Sequence, residues 1–410
     1  MSDSGGNGGH TEYTQYTQCT DDTHGTGDTG TAGHREGPAL PPFARRNFLA
    51  SAVLAAAPAA VAGSAAVAAA EPAPGAGPAA GRAAAGSVAR LLAVPGLRRD
   101  VGWLREALQV AVQLELATIP PYLCGWWSVK DRGGEAARLI RRVVGDEMYH
   151  LGVVCNLLVA VGGQPRIKQA ATVYPGPLPG GVRPGVNVYL SGLTKPFVRD
   201  VMMAIEAPDE PLTRSAGDAP SVGDFYGDLL EAFRNEAPRL SARGQLSERI
   251  GSDSLAPVRT LDDVERCIET IKEQGEGTDG SPGQALHDDN PAHYYAFGEI
   301  YHGKRVREES GTWRFTGAAV PFPAARPMAR VPAGGWDHTS TQVRRLVDQC
   351  DATYAGVLEG LDKAWAGGGA KSMSAAVHAM RGMEGPAVEL MDLTRPDGPG
   401  NYGPQFHVSS

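Results

Sequence analysis

A carboxylate and an imidazole set into the apolar seam of one helix restrict this chain more than any other feature of its sequence. Over residues 135–161, Ile140, Val143, Glu147, His150, Val154, Leu157 and Val161 recur at alternating steps of three and four, up to a stop at Gly162-Gly163. That spacing places them on one helical face, with Arg142 and Asp146 on the outer one. Burying an unpaired carboxylate costs several kcal/mol or forces it neutral, so the fold must bring Glu147 a partner. A preceding helix over 99–119, stopped by Pro120-Pro121, aligns Leu104, Leu108, Ala111 and Glu115. Two neighbouring helices therefore each turn an acid inward.

Glu-x-x-His on a helix points both side chains the same way, and dinuclear metal centres in four-helix bundles use it: a Glu from each of two helices and a Glu-x-x-His from each of the others. The alternative is a metal-free core in which Glu147 and His150 bond each other or Tyr122. A third helix, with Thr194 as N-cap and Pro196 in its first turn, carries Val198, Met202 and Glu206 in a stripe and ends at Pro208. Helices follow at 223–236 and 261–274, whose Glu231, Glu265, Glu269 and Glu273 read as solvated, with Glu276 in the turn after them. In DDNPAHYYAFGEIYHGK, Asn290 caps and Pro291 starts a helix whose apolar stripe holds His293, Phe297 and Ile300. By face, His293 is the inward ligand; by spacing, the Glu299 and His302 pair is.

The chain has 410 residues, 42% hydrophobic and 20% charged, enough for one large domain or two smaller ones. A net charge of -8 and no Lys/Arg run argue against a nucleic-acid partner. Cys19, Cys124, Cys155, Cys267 and Cys350 make no Cys-x-x-Cys pair; Cys124, Cys155 and Cys267 read as small core residues, with a Cys124–Cys155 disulfide as the alternative.

Residues 1–44, rich in Gly, Thr, Ser and His, lack the large aliphatics a core needs and are expected to be disordered. In 45–70, Arg45-Arg46 precedes an uncharged Ala-rich run from Asn47, with Ala68-Ala69-Ala70 at its end, the layout of a twin-arginine export signal. Export, signal removal and no lasting membrane span are the expectation; a membrane anchor, an Ala/Pro-rich linker, or a misassigned start that leaves the protein cytoplasmic are the rivals. Residues 71–96 read as a linker, 97–304 as the helical domain and 305–410 as a C-terminal extension. After a Pro/Ala-rich loop, that extension carries helices at 340–366 and 372–393, a stripe of Val343, Leu346, Cys350, Tyr354, Val357 and Leu361, solvated His378 and Glu384, and a strand-like GNYGPQFHV tail. The pair suits a cap on the bundle or the surface of a homo-oligomer.

LELATIPPYL, GDEMYHLGVVCNLLVAVGGQP, YPGPLP at 174–179, AIEAPDE at 204–210, and EQGEG followed by AHYYAFGEIYHGK resemble, in this order, the ferritin-like domain of the iminophenyl-pyruvate dimer synthase (VioB-like) family over about 97–304. The resemblance implies an all-α, ferritin-like four-helix bundle with long loops, here with an additional C-terminal helical pair. It also implies a carboxylate-bridged centre in which Glu115, Glu147 and His150 match the first half and Glu206, Glu276 and His293 the second, with Glu299 and His302 as runners-up. The family is named for much longer enzymes, linked to haem chemistry, that couple two amino-acid-derived imines; this chain holds the ferritin-like part and no evident haem motif. The expectation is a dinuclear iron or manganese oxidoreductase acting on a small molecule, with Tyr122, Tyr294 and Trp126 or Trp127 shaping its pocket. A ferritin-type storage protein and a metal-free helical scaffold are the alternatives.

Overall fold

The computed structural model describes residues 87–208, 221–277, 282, 290–337 and 340–408. The expected disordered segment 1–44, the export signal 45–70 and the first part of the linker lie outside the described residues. The linker is shorter than expected: α1 (Ser87–Leu92) is helical, and Val88 and Leu91 are buried in the main core. An Ala/Pro/Gly-rich composition hides two aliphatic residues that are enough to dock one short helix.

Two long helices form the frame. Helix α2 (Val101–Ser128) spans 28 residues and starts at Asp100, whose side chain accepts from Trp103 N at 2.9 Å. Helix α3 (Glu135–Ala160) packs along it and is buried over most of its length. It is apolar enough to cross a membrane, but 83% of that stretch is buried inside the protein, as befits a core helix.

The stop expected at Pro120-Pro121 does not occur, because α2 runs through both prolines. Pro121 removes the N–H that would have bonded the carbonyl of Ala117 one turn earlier. That carbonyl instead accepts from the Tyr174 hydroxyl at 2.8 Å, in the buried interior. At the end of the helix the Ser128 hydroxyl donates to Gly125 O at 2.7 Å and accepts from Leu193 N at 2.8 Å, tying the 165–194 loop to the frame.

Shorter helices complete the bundle: α4 (residues 195–206), α5 (Val222–Glu236), α6 (Leu261–Glu276) and α7 (His293–His302). Thr194 caps α4, accepting from Phe197 N, and Val198–Met202 winds as a π turn before the helix ends at Glu206. Both α5 and α6 open with a reciprocal capping box, Ser221 with Asp224 and Thr260 with Asp263. Helix α7 begins at His293, later than the Asn290–Pro291 start expected, and packs on α3, α4 and α6.

The stretch after 304 holds a hairpin that helix-period reading does not reveal. Strand β1 (Lys304–Glu309) pairs with β2 (Thr312–Ala319) across Ser310-Gly311, both at positive φ, the two-residue turn that matches strand twist. Phe315 of β2 presses on Gly298 of α7, where an added Cβ would lie 2.4 Å from its ring. Helices α8 (Thr341–Lys363), α9 (Gly369–Gly382) and α10 (Glu384–Met391) pack together and against the frame. Trp365 Nε1 donates to Asn156 Oδ1 at 3.0 Å, and Asp362 accepts from Ile167 N at 2.6 Å. Glu384, expected to be solvated, pairs with Arg132 at 2.8 Å. The C-terminal segment lies across the domain through isolated bridges at Asn401, and Phe406 stacks on Trp127 with ring centres 6.0 Å apart. Cys124 and Cys155 are buried free thiols, so the alternative disulfide is not formed.

Tyr174→Phe leaves the Ala117 carbonyl buried without a donor. Denaturant unfolding should show a loss of about 1–3 kcal/mol, whereas a loss indistinguishable from zero would mean α2 tolerates its prolines by other means.

Candidate metal centre

Glu115 from α2, Glu147 and His150 from α3, Glu206 from the end of α4 and His293 from the start of α7 converge in the bundle interior, all buried. Glu147 lies between two groups. Donor atoms of Glu115, Glu147 and His150 come within 4.8 Å of one another, and so do those of Glu147, Glu206 and His293. His150 Nδ1 is 3.6 Å from Glu115 Oε2 and 3.7 Å from Glu147 Oε1. His293 Nδ1 is 2.8 Å from Glu147 Oε1 and 3.6 Å from Glu206 Oε2. The imidazole rings stack with centroids 5.6 Å apart.

Each imidazole is held from behind. His150 Nε2 lies 2.6 Å from Gln274 Oε1, an acceptor that can only take an N–H, so Nδ1 is the nitrogen turned inward to the carboxylates. His293 Nε2 lies 3.2 Å from Asp146 Oδ2 and donates to it in the same way. Asp146 is anchored by Arg142 at 3.0 Å, and the same guanidinium donates to Pro291 O at 2.6 Å, just ahead of α7. A ring nitrogen bonded outward to a fixed acceptor, with the other nitrogen aimed at carboxylates, is how metal-ligating histidines are oriented.

The carboxylates have outward partners too. Tyr226 donates to Glu115 Oε1, Thr118 Oγ1 to Glu147 Oε2 at 2.7 Å, and Tyr122 to Glu206 Oε1. His293 Nδ1 stands apart from this satisfied set. It is fully buried and makes no hydrogen bond, although Glu147 Oε1 lies 2.8 Å away. Carboxylate oxygens, two inward imidazole nitrogens and one orphaned buried nitrogen together fit a cation better than they fit one another.

The electrostatics agree. Burial alone would lower the His150 pKa, but the carboxylates of Glu115 and Glu147 outweigh it and push it up to about 9. His293 is raised far above its ordinary value against the same burial, by Asp146, Glu147 and Glu206. Burial, then the charge of Glu206, raises Glu147, while burial and the adjoining Glu206 carboxylate raise Tyr122 strongly, so the phenol keeps its proton. For Asp146, burial is opposed by the hydrogen bond and charge of His293 and by Arg142, which together hold it ionised below the usual range. The interior thus draws positive charge towards the gap between the two imidazoles.

A cleft with a cavity of about 60 Å³ reaches this point, bordered by Glu115, Glu147, His150, Glu206 and Tyr226, with Lys272 also on its wall. Trp126, Trp127, Tyr122 and Tyr294, expected to shape the pocket, do not border it. Trp127 packs on Phe406, and Tyr122 acts through Glu206.

Of the second-half candidates, the structure brings Glu206 and His293 into the cluster. Glu276 ends α6 instead of lying in a turn, and its side chain lies outside the described residues. Glu299 and His302 are elsewhere. Glu299 is buried but accepts from Arg305 at 2.7 Å and Val306 N at 3.0 Å, and exposed His302 stacks on Phe315. Face, and not Glu-x-x-His spacing, therefore decides between His293 and His302. Reading Asp146 and Arg142 as outer-face residues fails because α7 covers that side of α3. The signal was present as an Arg/Asp pair four residues apart on the helix that carries Glu147. Thr118, Tyr226 and Gln274 carry no comparable sequence signal, since each becomes functional only through the packing of separate helices.

Residues 108–302 match a family model described as Ferritin-like. The crystal structure of a ferritin-like protein from Caulobacter vibrioides is similar to this chain, with a TM-score of 0.55 and 22% identity, over 75% of this chain and 97% of that one. No curated protein matches the chain. The chain has an all-α, ferritin-like fold, and its buried Glu/His cluster is compatible with a metal site of that fold.

Thr118→Val removes the only hydroxyl bonded to Glu147 Oε2 among the described residues. Chemical denaturation of metal-free protein should register a loss of about 1–3 kcal/mol; unchanged stability would show that Glu147 does not need that donor.

Proposed function

We propose that this domain is a dinuclear iron or manganese oxidoreductase acting on a small molecule. The observation that carries the reading is the pair of ligand groups sharing Glu147, with His293 Nδ1, which makes no hydrogen bond, facing Glu147 and Glu206. Carboxylate oxygen with imidazole nitrogen and no thiolate suits iron or manganese among the available metals. Glu115 and His150 would hold one ion, Glu206 and His293 the other, and Glu147 would serve both, with Glu276 as a further candidate.

A redox-active metal pair of this kind supplies activation of dioxygen or peroxide when bound. The chain's own part is to place and to shield. Tyr226 and Tyr122 each donate a hydrogen bond from the phenol to one oxygen of a ligand carboxylate, which fixes its orientation. Leu114, Leu178, Ile205 and Ile271 form an apolar surround to the cleft. At about 60 Å³ the cavity has room for a few waters or a molecule of that size next to the carboxylates. The motif resemblance over 97–304 supports an amino-acid-derived or secondary-metabolite substrate, and Arg45-Arg46 with the uncharged run behind it supports export before action.

A metal-free scaffold is the second reading, favoured by the hydroxyl donors already found by Glu115, Glu147 and Glu206. Metal content separates the two. Full-length protein reconstituted with iron(II) or manganese(II) should bind about two metals per chain, Glu147→Ala should lose most of both, and Glu299→Gln should keep both. Absence of bound metal after reconstitution would overturn the oxidoreductase reading in favour of the scaffold.

A further inference from the structure

We infer that the two halves of the centre are unequal: a tighter, less accessible metal site at Glu147, Glu206 and His293, fixed by Asp146, and a weaker site more open to the cleft at Glu115, Glu147 and His150, steadied by Gln274. This rests on the dinuclear reading above and adds the order in which the sites fill.

The difference lies behind the imidazoles. His293 donates its outer N–H to a carboxylate, Asp146 Oδ2 at 3.2 Å, whereas His150 has an amide oxygen, Gln274 Oε1 at 2.6 Å. A carboxylate acceptor leaves more electron density on the inward nitrogen and makes it the better donor to a metal. Arg142 draws off part of that effect but fixes the geometry. It bonds Asp146 on α3 and Pro291 O at the head of α7, so the helices bearing Glu147 and His293 are locked to each other through one guanidinium. No such clamp holds His150, whose partner Gln274 sits in the last turn of α6.

Access differs in the same direction. The cleft borders all three side chains of the Glu115 site and also Glu147 and Glu206 of the other, but neither His293 nor Asp146. The His293 nitrogen is enclosed and already aimed without a hydrogen bond, so filling that half needs no side chain to turn away from a partner. The open half is then the one that an incoming small molecule reaches, and Asp146 and Gln274 are positioning residues that set the two affinities apart.

Manganese(II) titration of metal-free, full-length protein tests this by calorimetry, with electron paramagnetic resonance to distinguish single from paired ions. Two binding events at least about tenfold apart are expected, with an isolated-ion spectrum at one equivalent. Asp146→Asn should weaken the first event by about 10–100-fold and narrow the gap, while Gln274→Leu should weaken the second and widen it. Two indistinguishable events, paired ions from the first addition, or both variants moving the gap the same way would overturn the inference while leaving a dinuclear centre intact. No uptake at all would overturn the dinuclear reading with it. The wild-type titration decides the matter even if a variant fails to fold.

Discussion

Three glutamates face two imidazoles inside an apolar helical bundle, and the rest of the domain is arranged around that buried charge. Such a group is costly unless every oxygen and nitrogen finds a partner. Tyr226, Thr118 and Tyr122 reach in from their helices to bond the carboxylates, while Gln274 and Asp146 hold the rings from behind. After those partners are counted, the inward nitrogens and oxygens still converge on one another. A positive ion is the partner that such a convergence lacks.

The frame explains how the convergence survives folding. Glu115 sits mid-helix in α2, and the helix extends beyond it because Tyr174 substitutes for the hydrogen bond that Pro121 removes. Glu147 and His150 share one face of α3, so one helix serves both halves of the centre. Glu206 and His293 come from helix ends, which makes their placement depend on capping and on Arg142. The first half is therefore built on rigid helix interior and the second on helix termini clamped from outside. The C-terminal helices pack on α2, and Phe406 stacks on Trp127 in its last turn.

Much of this was legible in the sequence where local periodicity and burial coincide. Glu115, Glu147 and His150 interrupt otherwise apolar seams, and His293 shares its stripe with Phe297 and Ile300. The Thr194 cap and the all-α character follow from the same local rules. What periodicity could not supply was information carried by a second segment. Asp146 looks solvated until α7 covers it, and the helix through Pro120-Pro121 requires a tyrosine more than fifty residues away. The β1–β2 hairpin carries no helical period and only weak alternation, and it is set by the turn at Ser310-Gly311. Glu299 and His302 satisfy the ligand spacing yet serve Arg305 and Phe315, showing that a motif is a ligand pair only when its face agrees.

The central claim is that Glu147 is shared by two metal ions. Anomalous diffraction from crystals of the metal-loaded protein, recorded at the absorption edge of the bound metal, addresses it most directly. The account predicts two peaks about 3.5–4 Å apart, each within bonding distance of Glu147, with His150 beside one and His293 beside the other. A single peak, or two peaks that do not both touch Glu147, would contradict it.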